Sequence, residues 1–145
     1  MSARKRSLFV LFGVGLVIIG ALLFNSTKSG TKIGSEYYEL ERVNTLEKLQ
    51  LGLSGRDSLG DNSGMVFVFP EVKDQCIWMK DMKFALDIIW LNVDKNIVAI
   101  EKEIRPETYP KQYCHGPAKY VIELNAGDVK SAKIEVGQSV NLNQP

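Results

Sequence analysis

The sequence predicts a mainly β fold: a compact antiparallel barrel or sandwich-like domain with one or two short helices, preceded by a single N-terminal transmembrane helix. Short runs of β-branched and aromatic residues alternate with turn-forming residues, which is typical of strands. Helical spacing of apolar residues is confined to short segments. An uncharged apolar stretch precedes all of these, and the chain of 145 residues suits one domain with an appendage.

The N-terminal stretch is typical of a membrane anchor. Residues 1–7 form a basic flank that includes Arg4, Lys5 and Arg6, and residues 8–24 are apolar throughout. As a helix, that run would be about 26 Å long, at the short end for crossing a bilayer. The basic flank predicts a cytoplasmic N-terminus, with the rest of the protein outside the cytoplasm. The alternative is a signal that is cleaved to release a secreted protein, but no Ala-x-Ala pattern follows the run.

Residues 25–32 are rich in Ser, Thr and Gly, which predicts a flexible linker to an extracytoplasmic β domain at residues 33–145. The whole chain has 18 Lys and Arg against 17 Asp and Glu. Without Arg4, Lys5, Arg6 and Lys28, the remainder carries a net charge of −3 and has no basic block. Nucleic acid is therefore not expected as a partner. The expected partners are the membrane, through the N-terminal helix, and an unknown small ligand or an envelope protein.

The domain divides into predicted strands separated by turns. Asn44 is the expected N-cap of a short helix, with Glu47 completing a capping box and Gly52 at its end. A long loop is predicted over residues 105–117, and one or two helical turns are predicted to follow Asn125. We expect Pro70 to end its strand, because proline lacks an N–H for the ladder. The predicted strands are Ile33–Val43, Gly64–Pro70, Cys76–Lys80, Leu86–Leu91, Ile97–Ile104, Lys119–Leu124 and Gln138–Leu142.

Several motifs in order resemble the family known as domain of unknown function 192. The matches are Gly52-Leu53 with Arg56, Gly64-Met65 with Phe67 and Phe69, Trp78-Met79-Lys80, Leu86-Asp87, and Glu123-Leu124 with Ala126-Gly127. The resemblance implies a compact, mainly antiparallel β domain and no established activity. The chain departs from the family pattern at Ser54, Asp81, Met82 and Ala85, where Met, Asn, Thr and Pro are usual.

The two cysteines, Cys76 and Cys114, invite pairing if the domain lies outside the cytoplasm. A bridge between them would contribute about 4 kcal/mol in the chain-entropy model. The alternative is two independent buried thiols, as expected in a reducing compartment.

A polar set on an otherwise apolar sheet provides the candidate binding residues: Arg56, Trp78, Lys80, Asp81, Asp87 and Glu123. Asp87 is the most unusual, because it interrupts the apolar run from Leu86 to Leu91 and needs a partner if buried. We expect that partner to be Lys80, with Arg56 as the second choice. The pair would either fix strand register or contribute to a binding pocket beside Trp78.

Other chemistry has little support in the sequence. One histidine and two distant cysteines do not provide a metal set, and no glycine-rich phosphate loop or nucleophile elbow is present. We therefore predict no metal, no cofactor and no catalytic residue. The predicted function is binding of a small polar ligand or an envelope partner by a membrane-anchored domain. The alternatives are a hydrolase-like enzyme that uses Asp87 with Lys80, and a structural accessory module of a membrane complex.

Overall fold

A computed structural model describes residues 30–142, which form one curled, half-barrel sheet of six strands with two short α-helices. The strand order is β1-β2-β3-β6-β4-β5. The prediction of a mainly β domain is confirmed. The elements are β1 (Thr31–Ile33), β2 (Glu36–Val43), α1 (Leu46–Leu51), β3 (Ser63–Trp78), β4 (Leu86–Leu91), β5 (Ile97–Ile104), a 3₁₀ turn (Pro106–Thr108), β6 (Gln112–Asn125) and α2 (Asp128–Ser131).

The predicted anchor, residues 8–24, its basic flank at residues 1–7 and residues 25–29 of the predicted linker lie outside the described residues. Residues 31 and 32 of that linker are part of β1. Within residues 30–142, no helix combines the length and apolarity needed to cross a membrane.

The sheet is antiparallel except between β2 and β3, which run parallel. A parallel neighbour requires a crossover connection, and the segment that carries α1 provides it. The N-cap of this helix lies one residue later than the predicted Asn44. Thr45 is the N-cap, and its side chain accepts a hydrogen bond from the backbone N–H of Lys48. The crossover places α1 beside β3.

The strand β3 continues through Pro70, so the prediction that Pro70 ends the strand was wrong. The pairing of β3 with β6 shifts register between Val68 and Lys73, and Pro70 lies in that irregular stretch. A missing N–H is tolerated at such a bulge. Beyond it the pairing resumes, and Cys76 lies directly opposite Cys114. The two sulfurs form a disulfide, which confirms the expected pairing.

Three further segments differ from expectation. The predicted strand over residues 33–43 is divided into β1 and β2 by a turn at Gly34. The predicted loop over residues 105–117 is shorter, because β6 already begins at Gln112. Residues 138–142 form no strand and pair only through an isolated bridge between Ser139 and Asn96. Backbone hydrogen bonding to neighbouring β strands, rather than local sequence, sets these limits.

The strand β4 is buried on both faces. Leu86, Ile88 and Trp90 pack in one apolar cluster, and Ile89 and Leu91 pack in the other. Such a continuous apolar run is expected for a strand covered on both sides. Asp87 is 1% exposed in the middle of this strand, so its carboxylate must be satisfied inside the protein.

The carboxylate of Asp87 accepts three hydrogen bonds from backbone N–H groups. Oδ1 accepts from Glu103 at 2.8 Å, and Oδ2 accepts from Gly127 at 3.0 Å and Val129 at 2.8 Å. The expected pair with Lys80 was wrong: Lys80 is exposed, and no ion pair among residues 30–142 joins Asp87 to Lys80 or Arg56. The chain satisfies this buried charge with its backbone.

The backbone around Asp87 is shaped for these contacts. The pairing of β4 with β5 skips one residue between Leu86 and Ile88, so a bulge in β5 turns the N–H of Glu103 toward Asp87. Gly127 precedes α2 with φ of 96°, a left-handed conformation that glycine adopts without strain. Gly127 itself has no side chain to cap α2, and Asp87 caps it from across the sheet.

We predict that Asp87→Asn lowers the free energy of unfolding by about 3 kcal/mol. The asparagine side chain has no charge and only one oxygen acceptor. Its NH₂ group would face buried N–H donors, so at least one of these backbone donors would lose its acceptor. Chemical denaturation of the full-length protein would measure the change.

The exposed turn residue Asp94 provides a matched control, since Asp94→Asn should change stability by less than about 0.5 kcal/mol. Lys80→Met should add independently to Asp87→Asn. A coupling between these two substitutions above about 1 kcal/mol would restore the ion pair that the structure excludes.

Candidate functional site

A pocket of about 420 Å³ lies between α1 and β3. One wall consists of α1 and the residues around it, from Asn44 to Ser54. The opposite wall is β3, from Phe67 to Trp78, with Met82 from the following loop. The volume is in the range of small-molecule binding sites, and most lining side chains are apolar, as in such sites.

The wall formed by α1 is unusual for a helix in a small domain. Its sequence contains three leucines, yet none of its six residues is buried. Leu46 is 73% and Leu51 is 59% exposed, and both line the pocket, together with Leu49. An amphipathic helix normally buries its apolar stripe. Here that stripe contributes to the wall of the pocket.

The aromatic side chains come from β3 and its end. The rings of Phe67 and Phe69 stack with their centroids 6.3 Å apart. Trp78 is 45% exposed and also lines the pocket. Phe67 is only 2% exposed, so the accessible aromatic surface of this wall comes from Phe69 and Trp78, and it suits an apolar or cationic group.

Glu123 supplies a buried acid to the pocket. It lies on β6, paired with Met65 on one side and Ile88 on the other, and it is only 5% exposed. Its Oε2 atom is buried and has no hydrogen-bond partner among the described residues. Burial raises the pKa of Glu123 to about 8, although the positive charge of Arg56 opposes the shift. A buried acceptor without a partner is rare in native proteins and marks a candidate contact.

Two cations near the pocket, Arg56 and Lys73, are bonded to other acids. Arg56 Nη2 lies 2.7 Å from Glu41 Oε2, and Lys73 Nζ lies 2.8 Å from Glu71 Oε2. Both pairs are substantially exposed, so they add little stability. Glu123 therefore receives no direct ion pair from residues 30–142.

Comparison with known proteins places the chain in a family. The model of DUF192, described as an uncharacterized ACR, matches residues 27–142. The chain belongs to the DUF192 family. None of the curated proteins compared with the chain is significantly similar to it.

Two solved structures share the DUF192 chain's fold. A protein of unknown function from Novosphingobium aromaticivorans is 27% identical, with a TM-score of 0.71 over 77% of this chain and 81% of its own. A "putative transcription regulator" from Sinorhizobium meliloti is 28% identical, with a TM-score of 0.67 over 70% of this chain and 79% of its own. These similarities support the fold.

The motifs that resemble DUF192 have structural explanations here. Leu86-Asp87 and Ala126-Gly127 meet where Asp87 accepts the N–H of Gly127. A Cβ on Gly64 would lie 2.7 Å from the side chains of Leu40 and Leu124 and 2.8 Å from the carbonyl oxygen of Glu123. Glycine at 64 thus permits the close approach of β3 to β6 beside the buried acid.

Of the six predicted binding residues, the structure brings two to the pocket, Trp78 and Glu123. Arg56 acts on Glu123 through its charge but does not line the pocket. Lys80, Asp81 and Asp87 do not line it either. Asp87 is occupied by the backbone of β5 and α2, and Lys80 is exposed.

Asp81 has a conformational role in the turn after β3. Its φ is 55°, in the left-handed region that Asn and Asp tolerate better than most residues. Its carbonyl oxygen accepts a hydrogen bond from the N–H of Gly55 at 2.9 Å, and Ser54 Oγ donates to the neighbouring carbonyl of Lys80 at 2.8 Å. The departure from the family's usual Asn therefore keeps the backbone conformation that this turn requires.

The residues that sequence reasoning missed are mostly apolar: Leu46, Leu49, Leu51, Phe67, Phe69 and Gln75. A leucine-rich helix is normally interpreted as part of a core. The one available signal was that the helix is only six residues long, too short to hide all three leucines against a curved sheet.

Metal binding gains no support from the geometry. Across residues 30–142, no three His, Cys, Asp or Glu side chains are grouped so that they could hold a metal ion. Asp128 Oδ2 is buried without a hydrogen-bond partner, and burial raises its pKa, reinforced by the charge of Asp87. Asp128 is the first residue of α2 and does not line the pocket.

We predict that Glu123 makes the stability of this DUF192 domain depend on pH. Its pKa is about 8 in the folded protein and near 4.5 when unfolded, so between these values only the folded state keeps the proton. The free energy of unfolding therefore falls as pH rises from about 4.5 to about 8, by an amount on the order of 5 kcal/mol. The difference between wild type and Glu123→Gln, measured by denaturation at several pH values, should show this change.

Glu135→Gln is the control, because Glu135 is exposed and lies outside the pocket. Its stability should follow the wild-type pH curve. A wild-type curve that keeps the same shape in Glu123→Gln would mean that Glu123 ionises as an ordinary surface acid.

Proposed function

We propose that this chain is a membrane-attached binding protein whose β domain lies outside the cytoplasm and holds a small ligand in the pocket between α1 and β3. The observation that carries the proposal is the unpartnered Oε2 of Glu123, buried in the lining of a mainly apolar cavity of about 420 Å³. The ligand would place its apolar body against the leucines and aromatic rings and its one polar group at Glu123.

This ligand differs from the small polar ligand expected from the sequence. Apart from Glu123, the charged lining residues are Glu71 and Lys73, which are exposed and paired with each other. The greater part of the lining is apolar. An amphipathic ligand matches that surface better than a sugar or another fully polar molecule.

The alternative functions have less support. A hydrolase-like reaction through Asp87 and Lys80 requires two groups that converge on one cavity, but both oxygens of Asp87 are occupied by backbone donors. A structural accessory module would present a flat apolar patch, whereas α1 and β3 enclose a concave site. The concave shape favours a ligand over an envelope protein.

Two observations support a place outside the cytoplasm. The basic flank and the apolar run at residues 8–24 are typical of an anchor with a cytoplasmic N-terminus. The Cys76–Cys114 disulfide belongs to an oxidising compartment, since cytosolic thiols are kept reduced.

We predict that fractionation of cells finds the full-length mass in the membrane fraction, released only by detergent, because the uncleaved apolar run remains in the bilayer. Protease added outside the cytoplasmic membrane should digest the β domain. A soluble product that begins near Thr27 would instead identify a cleaved signal and a secreted protein.

We predict that an apolar alcohol, 4-phenylbutanol, binds in the pocket and changes the fluorescence of Trp78. The chain has two tryptophans, and Trp90 is fully buried in the core, so the response should disappear in Trp78→Phe. Titration of the purified full-length protein measures the affinity.

Trp78→Ala should weaken this binding at least fivefold, measured by the shift in melting temperature with the alcohol present. Val136→Ala is the matched control, because Val136 is also exposed, at 61%, but does not line the pocket. Equal effects of the two substitutions would contradict binding between α1 and β3.

A further inference from the structure

We propose that the physiological ligand is a cationic amine with an apolar body, and that its ammonium group binds the carboxylate of Glu123. This inference rests on the proposed binding function and specifies the ligand class for the same pocket. It follows from three features of the site, which concern the acid, the neighbouring cations and the aromatic walls.

The first feature is the burial of Glu123. Its carboxyl group is already removed from water when the protein folds, so ligand binding does not have to desolvate it. Glu123 lies between Met65 and Ile88 in the middle of the sheet, 5% exposed. Breaking or omitting the partner of a buried charge is costly, whereas a well-placed opposite charge recovers much of that cost. A ligand cation in the pocket would provide the opposite charge that residues 30–142 do not supply.

The second feature is that two cations near the pocket, Arg56 and Lys73, are bonded to other acids. Arg56 is bonded to Glu41 on the exposed side of β2, and Lys73 is bonded to Glu71 at the rim of the pocket. With Lys73 and Glu71 balanced, the lining has a net negative charge whenever Glu123 ionises. An anionic ligand would be repelled, and a cationic one attracted.

The third feature is the set of aromatic faces around the same cavity. The stacked pair Phe67 and Phe69 and the exposed ring of Trp78 line it together with Glu123. Aromatic faces attract cations, and the effect is stronger where water is excluded. A neutral ligand would use these rings only as apolar surface, whereas the rings would also attract an ammonium ion.

Three probes of the same size and different charge test the proposal: 4-phenylbutylamine, 4-phenylbutanol and 4-phenylbutyrate. Each is titrated into the purified full-length protein at pH 8.5, with Trp78 fluorescence as the signal. The amine should bind at least tenfold more tightly than the alcohol, and the carboxylate at least tenfold more weakly. In Glu123→Gln the amine should lose at least tenfold in affinity, while the alcohol should change less than threefold.

The pH dependence provides an independent readout. The groups around Glu123 are Arg56 with its partner Glu41, and Glu71 with Lys73. The ammonium group stays charged below about pH 10, so the titration of Glu123 dominates. Amine affinity should rise about a hundredfold from pH 6 to pH 9, because the carboxyl group must lose its proton. This rise should be absent in Glu123→Gln.

The matched control is Glu135→Gln, which removes an exposed acid that does not line the pocket and should change amine affinity less than threefold. Alcohol that binds as tightly as the amine, with no effect of Glu123→Gln on the amine, would overturn the cationic class and leave the proposed binding function intact. Failure of all three probes to bind would overturn both. Retained alcohol binding in Glu123→Gln also shows that the variant is folded.

Discussion

The fold depends on one buried carboxylate that joins three elements. Asp87 lies in β4, at the most apolar part of the sheet, and binds the backbone of β5 through Glu103 and the start of α2 through Gly127 and Val129. The bulge in β5 and the left-handed glycine before α2 both serve these contacts. Because an unpaired charge at this depth costs several kcal/mol, the three elements are held in a single relative arrangement. The pocket on the other side of β6 is built on that fixed sheet.

Two buried acids of the domain, Asp87 and Glu123, differ in their hydrogen bonding. Asp87 has backbone donors on both oxygens, so nothing remains for another molecule to bind. Glu123 lies one strand away, paired with Ile88 next to Asp87, yet its Oε2 has no partner within the described part of the chain. Local departures from complete satisfaction are expected where a protein binds something else. The contrast between these neighbours distinguishes the structural acid from the proposed binding acid more clearly than burial does, since both are about equally hidden.

The sequence predicted the class of fold and the bounds of β4 and β5, because the pattern of apolar residues in these two segments reflects burial. It predicted the disulfide from two cysteines and an expected compartment. It did not predict the partners of Asp87. The backbone N–H groups that bind its carboxylate come within reach only because of a bulge in β5 and a left-handed glycine before α2, and no residue pattern specifies either feature. The prediction that Pro70 ends its strand was wrong for a related reason. A register shift in the pairing of β3 with β6 accommodates the missing N–H. Glu123 was identified as a candidate, but its position in the pocket depends on the parallel placement of β2 and β3, which brings α1 over β3.

The order of the strands has a consequence for how the chain is made. The strand β6 occupies the middle of the sheet, between β3 and β4, although it is the last of the described strands to be synthesised. Until it emerges, β3 and β4 each present an unpaired edge, and β4 is apolar on both faces. Exposed edges of this kind readily pair with other chains. The sheet therefore cannot form completely until residue 125 has been synthesised. We expect chains released before that point to aggregate or to bind a chaperone.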